Sequence, residues 1–118
     1  MNAVKIALTG KMRSGKSTVA EYISKEYSFE RFSFSTALKG YVYEIFGLSD
    51  FSGKKPRRLL QDFGQFCRSI DPDVWVRHCF DAIRWREDMA GRKLNIVIDD
   101  LRQPNEYDRC RAEGFVIV

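Results

Sequence analysis

The sequence predicts an α/β protein built on a parallel sheet with helical crossovers. Short apolar, β-leaning runs alternate along the chain with segments whose apolar residues recur at helical spacing, the pattern of strand–helix–strand units. The runs Val4–Thr9 and Leu94–Ile98 are apolar enough to be strands buried inside a sheet. The length of 118 residues suits one domain that can bury a real core without disulfides or metals.

The elements follow in order. Val4-Lys5-Ile6-Ala7-Leu8-Thr9 reads as a strand that stops at Gly10, and Gly10 to Gly15 as a loop. From Lys16 to about Tyr27, Val19, Ala20, Ile23 and Tyr27 form a helical stripe. Phe29 to Phe34 alternates and reads as the second strand, and Leu38, Tyr41, Val42, Ile45 and Phe46 mark a helix that Gly47 can end. Residues 48–55 are a polar loop. Pro56 is expected in the first turn of a helix carrying Leu59, Leu60, Phe63 and Phe66. Asp71-Pro72-Asp73 predicts another start, with Asp71 as cap and Pro72 at the first position, before Trp75, Val76, Cys79, Phe80 and Ile83. A turn around Gly91 leads to the third strand, Leu94–Ile98, which ends in Asp99-Asp100. Pro104 opens a last helix stopped by Gly114, and Phe115–Val118 is a fourth strand.

Hydrophobic residues are 44% and charged residues 31% of the chain, the balance of a globular protein rather than a disordered one. No apolar run approaches the roughly 20 residues of a membrane span, and the N-terminal apolar stretch is too short for a signal peptide, so the expectation is a cytoplasmic protein with no membrane partner. Cys67, Cys79 and Cys110 form no Cys-x-x-Cys pair and are expected to be reduced thiols partly buried in helices. His78 is the sole histidine, which argues against a zinc site and against Ser-His-Asp or Cys-His catalysis.

The net charge of +4 is uneven: residues 1–60 carry 11 Lys/Arg against 5 Asp/Glu, and residues 61–118 carry 9 against 11. The basic residues come in small groups, Lys11, Arg13 and Lys16, then Lys54, Lys55, Arg57 and Arg58. Separate positive points closing on a pocket suit a small polyanion better than a nucleic-acid backbone, so no nucleic-acid partner is expected.

Gly10-Lys11-Met12-Arg13-Ser14-Gly15-Lys16-Ser17 fits Gly-x-x-x-x-Gly-Lys-[Ser/Thr], the phosphate loop or Walker A motif, between a strand and an amphipathic helix as that motif requires. Glycines let the backbone turn tightly and approach a ligand, the loop N–H groups form an anion cradle, and the following helix adds its positive end. Lys16 would reach the β- and γ-phosphates, Ser17 would ligate Mg²⁺, and Thr18 would add a hydroxyl near the α-phosphate. Gly10 to Thr18 are therefore the expected nucleotide-binding residues. Ile96-Val97-Ile98-Asp99-Asp100 has the form of a Walker B strand, whose carboxylate can hold Mg²⁺ through water.

From this loop onward the chain resembles the deoxynucleoside monophosphate kinases of bacteriophages and bacteria, P-loop NTPases of the group that includes adenylate kinase and dephospho-CoA kinase. The resemblance rests on Gly10–Thr18, on Phe34-Ser35-Thr36-Ala37-Leu38-Lys39, on Pro56-Arg57-Arg58-Leu59-Leu60-Gln61-Asp62-Phe63-Gly64, on Arg68 with Asp71-Pro72-Asp73-Val74-Trp75, and on Asp100-Leu101-Arg102-Gln103-Pro104-Asn105-Glu106. It implies a three-layer P-loop fold forming a single kinase domain, with a helical acceptor-binding insert at about 36–90. It implies ATP- and Mg²⁺-dependent phosphoryl transfer to a nucleoside monophosphate. Lys39, Arg57 and Arg68 would bind the acceptor phosphate, and Gln61, Asp73 and Trp75 would read base or sugar, or pack. Arg102 would join the acceptor site and Asp100 would be the metal-side acid. Lys16, Arg13 and Arg68 would stabilise the transferring group. Members of that family continue past a fourth strand into an arginine-bearing lid and a fifth strand, so a chain truncated at its C-terminus is expected, as a monomer or homodimer. A dephospho-CoA kinase-like enzyme and a non-catalytic nucleotide-binding module are the alternatives.

Overall fold

The computed structural model describes residues 3–10, 15–49 and 56–118, and of Ser17 only the backbone. Lys11, Met12, Arg13 and Ser14 of the glycine-rich motif lie outside the described residues, as do Lys54 and Lys55 and the side chain of Ser17.

Strand β1 (Lys5–Thr9) leads into helix α1 (Lys16–Tyr27), then β2 (Glu30–Phe32), α2 (Ser35–Ile45), α3 (Arg57–Ile70), α4 (Val74–Ala90), β3 (Ile96–Leu101), α5 (Pro104–Ala112) and β4 (Val116–Ile117). The four strands form one all-parallel sheet in the order β2-β3-β1-β4. Ile6 faces Val97 and Ala7 faces Ile98; after an irregularity, Thr9 is opposite Leu101.

Helices cover both faces of this sheet. Leu8, Ala20 and Val97 pack on the α1 side, with Ile6 and Phe29. Ala7, Ile96, Ile98 and Leu101 pack on the other side against Val76, Phe80 and Ile83 of α4 and Cys110 of α5. Residues 96, 97 and 98 are each fully buried, as a central parallel strand flanked on both faces requires. A separate core of Leu38, Val42, Leu60 and Trp75 holds α2, α3 and the start of α4 together. Helix α4 serves both cores, Trp75 in one and Ile83 in the other.

The elements are those the sequence predicts, with shifted boundaries. The second strand is shorter than expected, because Phe34 already caps α2. Pro56 is the capping residue of α3, just outside its first turn. Asp73, not Asp71, stands at the cap of α4. Asp71 accepts the N–H of Asp73 at 3.1 Å and pairs with Arg77, closing the Asp71-Pro72-Asp73 turn instead. The third strand starts two residues later than predicted and includes Asp99 and Asp100 within it. All three cysteines are free thiols in helices. Burial pushes the Cys79 thiol up strongly and that of Cys110 up to about 12, so both are inert neutral groups in the core. No helix among the described residues is long and apolar enough to cross a membrane.

Candidate functional site

The C-terminal ends of β1 and β3 lie side by side, since Thr9 is opposite Leu101. Gly10 and Arg102 therefore leave the sheet at the same edge. The helix that follows β1 covers one face and the helix that follows β3 covers the other. This is a topological switch point, where open parallel sheets bind ligands beyond the carboxyl ends of their strands.

On the β1 side, Gly10 and Gly15 have φ of 143° and 89°, conformations that L side chains resist. The left-handed Gly15 starts α1, and Val19 N–H bonds back to its carbonyl at 3.0 Å. The Lys16 ammonium donates to the Gly10 carbonyl at 2.8 Å, tying together the two described ends of the motif. Thr18 is exposed on the first turn of α1.

On the β3 side a cleft of about 390 Å³ opens between the insert and the sheet edge, lined by Lys39, Arg57, Gln61, Arg68, Asp100 and Arg102 among others. Arg57, Gln61, Gly64 and Arg68 are spaced i, i+4, i+7 and i+11, one stripe of α3. Gly64 lets that stripe close on α2, for a Cβ there would lie 3.0 Å from Leu38 Cδ2. Leu38 and Leu60 form the cleft's apolar part. The side chains of Lys39, Arg57, Arg68 and Arg102 make no ion pair or hydrogen bond with another described residue. Four cationic side chains held on α2, α3 and the loop after β3, with no carboxylate of a described residue within salt-bridge distance, give the cleft a positive wall that could take an anion.

The two acids at the end of β3 do different work. Asp99 pairs with Arg31 at 2.6 Å and accepts the Ser33 hydroxyl, fastening β2 to β3. Asp100 accepts the N–H of Phe34 at 2.8 Å through Oδ1 and of Ser35 at 3.1 Å through Oδ2, an anion at the start of α2. Burial raises the proton affinity of Asp100 despite these bonds. Both oxygens are thus engaged, and each keeps a lone pair that could reach a cation through water. Among the described residues no group of three His, Cys, Asp or Glu is placed to hold a metal ion.

Asp73 and Trp75 stand away from the cleft. Asp73 is exposed and accepts the Asn105 amide at 2.9 Å. Trp75 is 3% exposed, and its indole N–H donates to the Gly64 carbonyl at 3.3 Å. Glu106 and Gln103 also line the cleft, and residue type alone gives neither of them a role there. The Gln103-x-x-Glu106 spacing was the available signal, since an acid three residues after a helix cap reaches back to the cap's backbone. Glu106 Oε1 does this, accepting Arg102 N–H at 2.8 Å and Gln103 N–H at 2.9 Å.

Compared with protein-family models, with curated proteins and with solved structures, the chain gives no match.

Proposed function

We propose that this protein is a P-loop phosphotransferase that moves the γ-phosphoryl group of Mg-ATP to a nucleoside monophosphate. The observation that carries the reading is a juxtaposition. A Gly-x-x-x-x-Gly-Lys-Ser motif leaves β1 at the sheet edge where the neighbouring strand opens onto a cleft with four cations that pair with no described residue. A triphosphate donor suits the first feature and a phosphate-bearing acceptor the second. The segment α2–α4 would be the acceptor-binding insert of a three-layer P-loop fold.

In this reading Gly10, Gly15, Lys16 and the start of α1 hold the donor phosphates, with Lys11 to Ser14, Ser17 and Thr18 completing the loop. Mg²⁺ would be held by Ser17 and, through water, by Asp100, and would supply positive charge to the donor phosphates. Lys39, Arg57, Arg68 and Arg102 bind the acceptor phosphate, whose oxygen is already deprotonated near neutral pH, so no general base is needed. That oxygen forms a bond to the γ-phosphorus as the bond to the β-bridging oxygen breaks, and ADP leaves. The work is positioning and charge neutralisation.

Mg-ATP offered with a panel of nucleoside monophosphates, ribo and deoxy, tests this by ADP release. At least one acceptor is expected to stimulate release, and Lys16→Ala to reduce it by about 100-fold or more, the scale of a lost charge-stabilising group. Stimulated release that survives Lys16→Ala would sink the assignment.

A further inference from the structure

Glu106 is only 3% exposed, yet it lines the cationic cleft. Its Oε1 accepts both backbone N–H groups that hold the loop carrying Arg102. Its Oε2 has no hydrogen bond to a described residue and no ion pair within 4.0 Å. No fully buried side-chain oxygen among the described residues lacks a partner. Oε2 therefore keeps some exposed surface, and the cavity that Glu106 lines is the cleft, which makes this oxygen an available acceptor on a wall otherwise rich in donors.

We propose that Glu106 is a specificity-determining residue whose Oε2 accepts a hydrogen bond from a hydroxyl or N–H group of the acceptor molecule. This rests on the reading of the cleft as the acceptor site. Four cations would bind any phosphate ester alike, and so cannot select among acceptors. A buried acceptor atom can, because a ligand without the matching donor leaves it desolvated and unpaired. Burial already pushes this carboxyl up, against the pull of the two backbone N–H groups and of Arg68, so a ligand donor relieves an existing cost. The donor would come from the sugar hydroxyls or from the base.

Glu106→Gln separates this role from the structural one. Glutamine keeps one carbonyl oxygen for the Arg102 and Gln103 N–H groups, as Gln does in capping boxes, and turns the other position into a donor. Binding would be measured for wild type and variant with inorganic phosphate, with the nucleoside monophosphate that wild type holds most tightly, and with its 2′-deoxy, 3′-deoxy and amine-lacking analogues. The variant should bind that nucleotide about 10- to 100-fold more weakly, while inorganic phosphate binds at least as well because a negative charge has gone. One analogue should be weak on wild type and unchanged on the variant, which identifies the donor as sugar or base. Equal affinity of both proteins for the nucleotide, or one common shift for nucleotide and phosphate, would overturn the proposal. Should Glu106→Gln fail to fold, the wild-type analogue series decides alone: no analogue weakened by about 10-fold overturns it. A wild type that binds none of the nucleoside monophosphates refutes the acceptor-site reading itself.

Discussion

Trp75 shows how far residue type carries an argument before packing takes over. An aromatic beside an Asp could stack on a base or could fill a core, and the sequence left both open. Its place among Leu38, Val42 and Leu60, with its N–H bound to Gly64, assigns it to the core of the insert. Trp75→Ala should therefore lower unfolding stability by about 3–5 kcal/mol, seen in denaturant melts. A base-reading residue would instead weaken ligand binding and leave the melt unchanged. The cleft's polar side chains were easier to read. Lys39, Arg57, Gln61, Arg68 and Arg102 are long polar residues on elements whose order and spacing the sequence makes plain, and they line one cavity. Glu106 was harder to assign, because a helix-capping glutamate has the same spacing whether its second oxygen faces bulk water or a ligand.

At the scale of elements, the segment from Asp100 to Glu106 joins the parts of the site. Asp100 holds the start of α2, one turn before Lys39. Glu106 holds the backbone of Arg102. The Asn105 amide donates to the Pro72 carbonyl at 2.8 Å and to Asp73 at 2.9 Å, fixing the α3–α4 turn that follows Arg68. Asn105→Ala should leave the opposing walls of the cleft less well fixed. The expected outcome is a KM for the acceptor raised by about 10-fold with KM for ATP unchanged, since small misplacements of positioning groups are felt mainly where they act. Equal changes in both constants would assign Asn105 to general stability. The strand–helix alternation that revealed these elements was legible because their apolar periods are clean. The capping residues were not, because Asp71, Pro72 and Asp73 are all good helix starters and only the packed turn decides among them.

Across the whole molecule, the parallel order β2-β3-β1-β4 and the helices on both faces bring the two halves of the site together. The alternation of elements implied a parallel sheet; the strand order needed the structure, because crossover connections can place a new strand on either side. One ion pair locks the far end of the sheet. Glu87, near the end of α4, accepts Lys5 of β1 and the N–H of Leu94. Burial opposes its charge, but these bonds hold its carboxyl below the usual range near 4.5. A depressed carboxyl contributes stability above its unfolded pKa, and that contribution is lost as pH falls through its folded value. Thermal melts of wild type should therefore lose stability on going from about pH 5 to pH 3. Glu87→Gln should be destabilised at pH 7 by about 3–5 kcal/mol, leaving Lys5 unpaired, and should show a flatter acid limb. An acid limb identical in both proteins would remove Glu87 from the account.

The central claim is group transfer between two phosphate sites at one sheet edge, and the fate of a labelled phosphate tests it most directly. Protein incubated with γ-labelled Mg-ATP and the most stimulating nucleoside monophosphate should place the label in the nucleoside diphosphate, one for each ADP formed. Label recovered only as inorganic phosphate, or retained in ATP while both nucleotides are bound, would contradict it.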